Sequence, residues 1–225
     1  MSRSTTHQGY YRRRIPRYSS ARSIYRFRSR KNQQSHRCES RLEFEHCLYL
    51  EWSPHVECYQ TQPPQLAFHH GTRIRRYTPD VLLQTSNREL IYREVKTRRA
   101  LRDEKVIEKL LAFRASCFAR GIGFEIVTDD QIRRPPLRIL CTLYRYAHLE
   151  PKAAQLEGLL SLFEARKAIT VAQAFAACDN LQIPRTVVPW AMFHGYLAWP
   201  QEDQFHSALP LILPTQEVSR NVKHS

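Results

Sequence analysis

Glycine is scarce in this chain: six residues among 225. A loop that cradles the phosphates of a nucleotide needs clustered glycines to let its backbone approach, and no such loop can be read, so nucleotide hydrolysis is not expected. Long apolar runs are missing as well. No stretch of about 18 apolar residues occurs, the length a membrane-crossing helix requires. The N-terminal segment is basic and lacks the apolar core of a secretory signal, so secretion is not expected and a cytoplasmic location is. The six cysteines, at positions 38, 47, 58, 117, 141 and 178, include no C-x-x-C pair. That scatter argues against a zinc site or a disulfide framework and for reduced thiols. Acidic residues are absent from the first 38 positions, where eleven Lys and Arg stand.

What is present follows from that last absence. The net charge is +14, yet residues 151–225 hold six basic and six acidic residues, so the whole excess lies in residues 1–150. In the first 38 residues the cations alternate with Tyr10, Tyr11, Tyr18, Tyr25 and Phe27. Cations that release counterions from phosphates and aromatics that stack on bases suit a nucleic acid; a solubilising tail is the plainer alternative. The reading takes residues 1–38 as a basic, partly disordered DNA-contacting arm, with Arg26, Arg28, Arg30 and Lys31 as its candidate contacts.

Downstream, "SRLEFEHCLYLEW" predicts a short helix ending before Pro54, and "VECYQTQ" a strand. "LAFHH" extends or pairs with that strand; its two histidines have no metal-ligand partner at a useful spacing. "DVLLQ" and "LIYREVKT" predict a β-hairpin. "DEKVIEKLLAFRASCFAR" carries the helical period, with Val106, Leu110, Phe113 and Cys117 on one face and acids at its start. "FEIVTD" predicts a further strand, and a helix follows Pro135-Pro136 to about residue 149. Residues 39–150 thus read as one compact α/β domain. Residues 151–225 read as a second, with three helices and a strand–wing–strand hairpin formed by "YLAW" and "LPLIL", a winged-helix-like pattern.

Within the first domain, Pro79-Asp80 opens one strand, and Glu94 and Lys96 stand on the next. Side chains alternate along a strand, so Glu94 and Lys96 share a face while Val95 turns to the core. A hairpin brings Asp80 to the same end. Two carboxylates beside an ammonium form either a surface salt-bridge cluster or a metal site at a scissile phosphate. The P-D…E-x-K spacing is that of restriction-endonuclease-like nucleases, and basic residues including Arg75, Arg76, Arg98 and Arg99 surround it as candidate DNA contacts. Glu43 stands three residues after Ser40, which by itself reads as a capping box at a helix start.

The run "SHRCESRLEFEHCLYLEWSPHVECYQTQP", with "YTPDVLL", "REVKTR" and "FEIVTDDQIR", resembles TnsA, the endonuclease subunit of Tn-seven-like heteromeric transposases, over roughly residues 15–150. The resemblance implies a restriction-endonuclease-like mixed sheet flanked by helices. It places a further active-site acid at Glu43, ahead of Asp80, Glu94 and Lys96, with Glu43, Asp80 and Glu94 as metal ligands; some members carry Gln at the position of Glu94. The basic "RFRSRK" resembles the arm of the family in position and charge. The implied activity is Mg2+-dependent cleavage of the non-transferred 5′ strand at transposon ends, with Mn2+ as a substitute. The implied setting is a bacterial cytoplasm, and the implied partners are duplex DNA, the DDE transposase TnsB and the ATPase regulator TnsC. A standalone restriction or repair nuclease and a non-catalytic DNA-binding scaffold are the alternatives.

In the second domain, the helix near 185–195 offers Arg185 and His194 but mainly Val187, Val188, Trp190, Met192 and Phe193, and the wing carries Glu202 and Asp203. Base edges are read by Arg, Lys, Asn or Gln. The expectation is therefore a docking domain for protein, the ATPase or the transposase, with the apolar residues as core the alternative.

Overall fold

A computed structural model describes residues 24–164, 166–200 and 202–214. Among them run β1 (Tyr25–Ser29), β2 (Gln34–Cys38), α1 (Arg41–Trp52), β3 (Val56–Thr61), β4 (Leu66–His70), β5 (Arg73–Tyr77), β6 (Val81–Thr85), β7 (Leu90–Lys96), α2 (Glu104–Phe118) and β8 (Gly123–Thr128). There follow α3 (Asp129–Ile132), α4 (Leu137–Leu143), α5 (Ala153–Ser161), β9 (Ile169–Thr170), α6 (Val171–Asn180), α7 (Val187–Phe193) and β10 (Pro210–Leu211). No helix of the described residues is long and apolar enough to cross a membrane. The chain divides into two compact units, one formed up to Glu43 and by Glu57–Asp129, the other by Phe44–Val56 and from Asp130 onward.

The first unit is built on a mixed four-stranded sheet in the order β3-β6-β7-β8. β6 and β7 pair antiparallel, Val81 opposite Arg93. β8 runs parallel to β7, with Glu94 beside Ile126 and Lys96 beside Thr128. The connection between these parallel strands is α2, the crossover helix that parallel pairing requires. Asp103 caps it by accepting from the Lys105 amide at 2.9 Å. Leu110, Phe113 and Cys117 form its buried stripe. Phe113 is the hub of an aromatic cluster, its ring edge-on to Tyr77 (5.0 Å), Phe124 (5.3 Å), Phe68 (5.5 Å) and Tyr92 (6.0 Å). The helix stops at Gly121, whose φ of +68° only a residue without Cβ adopts freely.

Two parts of this unit differ from the sequence reading. Residues 1–23 of the basic arm lie outside the described residues, but Tyr25–Cys38 form an antiparallel hairpin. Its inner face buries Phe27, Ser29, His36 and Cys38 and its outer face exposes Arg26 and Arg28. The turn is tied to β3: Asn32 Oδ1 accepts from the Tyr59 amide at 3.0 Å and Nδ2 lies 3.0 Å from His36. His36 in turn meets the Thr61 hydroxyl at 3.1 Å and stacks on Tyr59. The second difference is β5, which pairs with β4 around Gly71 as a two-stranded ribbon. Four of its five residues are exposed, so it lacks the apolar alternation that marks a strand.

The second unit draws its boundary elsewhere than at residue 150. Trp52 at the end of α1, Ile139 and Leu143 of α4, and Ala147 share one apolar core with Leu159, Ala174, Val188 and Met192; common burial unites segments that lie far apart in sequence. Tyr49 fixes α1 to the α3–α4 connection, its hydroxyl 3.0 Å from the Ile132 carbonyl and 2.9 Å from that of Arg134. The expected strand–wing–strand hairpin is reduced to one antiparallel bridge, Ala198 with Ile212. β10 pairs instead with β9. Prolines at 200, 210 and 214 remove amide donors and so interrupt a longer ladder. Val187, Val188, Met192 and Phe193 are all buried, and Trp190 stacks on Tyr196. The apolar side chains of this helix are core, which removes them as the docking surface expected above.

Candidate active site

Pro79 is buried and delivers the chain into β6, with the Asp80 carbonyl accepting from the Gln62 amide at 2.9 Å. One step before the Val81–Arg93 pair, Asp80 meets β7 at Glu94. The two residues grip each other through the backbone. The Val95 amide donates to Asp80 Oδ2 at 2.8 Å, and the Asp80 amide reaches Glu94 Oε2 at 3.3 Å. Alternation along β7 places Glu94 and Lys96 on the same side as Tyr92, and Val95 on the other. Lys96 Nζ donates to Glu94 Oε1 and stands 3.8 Å from Asp80 Oδ2. Three of the four residues predicted from the sequence therefore converge at one end of the β6–β7 pair.

The electrostatics are those of crowded carboxylates. Glu94 is 1% exposed. Burial, and then the negative charge of Glu94, pushes the Asp80 carboxyl up to about 8, against the pull of Lys96 and the Val95 amide. Burial disfavours the ammonium of Lys96, but Asp80, Glu94 and Glu43 outweigh it and hold the lysine charged, its pKa above the ordinary value. Like charges buried together with one compensating cation make a site that gains from a further cation.

Glu43 lies at the start of α1 with both carboxylate oxygens engaged. The Glu39 amide donates to Oε2 at 2.9 Å, the Ser40 hydroxyl to Oε1 at 2.9 Å, and the Glu43 amide returns a bond to the Ser40 hydroxyl at 3.1 Å. Ser40 thus caps the helix through the Glu43 amide, as in a capping box, while the Glu43 carboxylate takes the Glu39 amide and the Ser40 hydroxyl where a capping box would take the Ser40 amide. The pKa of Glu43 is nonetheless raised, first by burial, and its charge bears on both Asp80 and Lys96.

The candidate DNA contacts divide. Arg75 and Arg76 are exposed on β5, and Arg99 is exposed at the loop after β7. None of the three makes an ion pair among the described residues. The amide of Arg98, beside it, is bound by Asp129 at 2.8 Å. Arg26, Arg28 and Arg30 are exposed on the β1–β2 hairpin, and Lys31 in its turn is half-buried.

Two residues at the site escaped the sequence reading. Tyr77 packs on Phe113 and directs its phenol to Glu94; burial and that carboxylate push the phenol above its usual range. Lys109 of α2 lies over the Tyr77 ring, 4.3 Å from its centroid. Burial lowers its pKa; Glu94 and Asp80 oppose that, while Lys96 and Arg75 add to it. The signal for Lys109 was available. It stands three residues after Val106 and four before Phe113, so a cation occupies the inward stripe of an amphipathic helix.

A family model described as TnsA-like endonuclease N terminal matches residues 53–129. The match takes in Tyr77, Asp80, Glu94, Lys96 and Lys109 and begins after Glu43. No curated protein matches the chain. Over residues 53–129 the protein therefore carries a TnsA-like endonuclease domain on a mixed α/β sheet.

Proposed function

We propose that the protein is the DNA endonuclease subunit of a cut-and-paste transposase, hydrolysing the non-transferred 5′ strand at transposon ends. The observation that carries this reading is the convergence of Asp80, Glu94 and Lys96 within the segment that matches TnsA-like endonucleases.

A Mg2+ ion fits the residues present. Among the described residues no group of three or more His, Cys, Asp or Glu is placed to hold a metal. Mg2+ suits such a site, since it is commonly held by one or two carboxylates, with waters and substrate phosphates completing its shell. Asp80 and Glu94 would hold it, and Glu43 is a third donor on the resemblance alone. Bound there, the cation would supply Lewis-acid stabilisation of the phosphoryl oxygens and a more acidic water. Mn2+, with similar demands, substitutes.

The chain's own contribution is positioning and charge. The Val95 amide fixes Asp80, and the Asp80 amide fixes Glu94. Lys96 remains charged because three acids face it. Its ammonium is placed to orient a water or to meet the charge that builds on the phosphate in the transition state. Glu43, held in its cap, acts on Lys96 and Asp80 through its charge. Exposed arginines on the β4–β5 ribbon and the β1–β2 hairpin would bind the DNA backbone in a sequence-independent way.

The second unit fits a winged-helix-like docking module. Within it, the three helices α5, α6 and α7 and two short antiparallel pairings support that reading. Two of its surface cations are engaged by acids, Arg185 by Asp179 and Arg138 by Asp203 at 3.2 Å, and residues 151–225 carry as many acidic as basic residues, which favours a protein partner, the DDE transposase or the ATPase regulator, over DNA.

Strand-specific cleavage at a transposon end tests the reading. The reaction contains this protein, the transposase, the ATPase, ATP and Mg2+. Asp80→Ala and Lys96→Ala should each lose the 5′-strand cut and keep 3′-strand joining. If 5′ cleavage survives both substitutions, the chain is a scaffold; if wild type cuts plain duplex without partners, it is a standalone nuclease.

A further inference from the structure

Lys109 is a lysine with no acid in ion-pair reach among the described residues. Among the described residues it makes no hydrogen bond and no ion pair; its one close partner is the π face of Tyr77. A lysine whose task was to neutralise Glu94 or Asp80 would stand within ion-pair reach of one of them, as Lys96 does. Lys109 does not, and its three N–H donors remain unspent.

Its surroundings deepen the contrast. Arg75, exposed on the ribbon, is near enough for its charge to bear on Lys109, and it too makes no ion pair among the described residues. Register puts Arg75 opposite Phe68, on the ribbon face that carries Tyr77. Two like charges, one on a helix and one on a strand, are thus kept near one another, and neither is ion-paired among the described residues. Tyr77 holds the arrangement: its ring packs on Phe113 at 5.0 Å, its phenol faces Glu94, and its π face supports the ammonium. A cation–π contact orients an ammonium without consuming its hydrogen-bond donors.

We infer that Lys109, propped on Tyr77 and flanked by Arg75, forms a seat for a DNA backbone phosphate next to the one cut at Asp80, Glu94 and Lys96. This rests on the endonuclease reading above. The seat binds a phosphodiester and sets which bond lies over the carboxylates, so Lys109 is a substrate-positioning residue distinct from the Lys96 ammonium.

Binding of the full-length chain to a labelled transposon-end duplex in Ca2+ tests it, across a salt series and with single neutral methylphosphonates placed along the cleaved strand. Lys109→Met should reduce the slope of log affinity against log salt by about 0.9, the value of one lost phosphate contact. Wild type should lose affinity when the neighbouring phosphate is neutral, and Lys109→Met should be indifferent to that one substitution. Lys109→Arg and Tyr77→Phe, which keep a cation and a ring, should retain the wild-type pattern. If Lys109→Met responds to every methylphosphonate as wild type does, the seat is refuted. Asp80→Ala, measured beside it for Mg2+ cleavage, reports separately on the catalytic reading: residual cutting there sinks that reading whatever Lys109 does.

Discussion

The two units differ in what they bury: among the described residues, only the first buries a cluster of carboxylates around a lysine. In the second, several cations are paired within the protein, Arg133 with the buried Glu45 at 2.9 Å, Arg138 with Asp203 and Arg185 with Asp179, while Arg134, Arg145, Lys152 and Lys167 stand exposed without an ion pair among the described residues. In the first, Arg93 pairs with Glu125 at 2.7 Å, but carboxylates are buried against each other around Lys96, and Lys109, Arg75, Arg76 and Arg99 make no ion pair among the described residues. Folding alone does not favour such an arrangement, because buried like charges repel and exposed cations of one sign add to the repulsion. A partner that is both anionic and metal-bearing would relieve each of them. The comparison teaches where to look for function: in the unit whose carboxylates are buried against one another.

The largest separation should come from removing one cation from each unit. Lys96→Ala should slow 5′-strand cleavage by at least ~10²–10³-fold, the cost of losing one preorganised transition-state contact. Arg185→Ala should leave single-turnover cleavage unchanged. Equal losses would erase the difference between the two units.

Core truncations should hurt both units alike in stability and only one in chemistry. Phe113→Ala, at a fully buried ring, should cost about 3–5 kcal/mol in chemical denaturation, and Met192→Ala about 2–5 kcal/mol. Where both variants remain folded, Phe113→Ala should also slow cleavage, because Tyr77 and Tyr92 lean on that ring. Met192→Ala should not.

A smaller effect concerns pH. The Asp80 carboxyl sits up to about 8 in the folded protein, against 3.8 as a free group. The folded state therefore holds a proton that the unfolded chain has released. The associated stability is complete below about pH 4 and is lost as pH rises towards about 8. Glu43 shifts in the same direction. Thermal melts in EDTA should show a lower Tm near about pH 8 than near about pH 5, and Asp80→Asn should flatten that slope. A wild-type Tm that rises over this range would contradict the crowded-carboxylate picture.

The smallest effect is a slope. Arg76→Ala should reduce the salt dependence of DNA binding by about 0.9, as the loss of one phosphate contact does; Arg185→Ala, whose guanidinium is held by Asp179, should leave it unaltered. A slope that responds equally to both would place DNA on the second unit as well.

Much of the site was legible because its logic is local. Alternation along "REVKT" puts Glu94 and Lys96 on one face, and a hairpin of that length returns Asp80 to them. The Ser40–Glu43 cap at the start of α1 was legible for the same reason. β5 was not, since an arginine-rich strand exposed along its length carries no apolar rhythm. Nor was the fate of α7: Val187, Val188, Met192 and Phe193 look alike in a sequence whether they meet a partner or the protein's own core.

By itself, then, the sequence determined the elements and the chemistry within reach of a few residues: α1 with its cap, the β6–β7 hairpin, the amphipathic α2, and the trio at Asp80, Glu94 and Lys96. Short-range sterics, strand alternation and helical period dictate these without reference to the rest of the chain. Tertiary structure alone decided that Lys109 would stand over Tyr77, that Ile169–Thr170 would take Pro210–Leu211 as a partner, and that Phe44–Val56 would join the C-terminal core. Each of these depends on which distant apolar surfaces find one another, and burial is a property of the packed chain rather than of any segment in it.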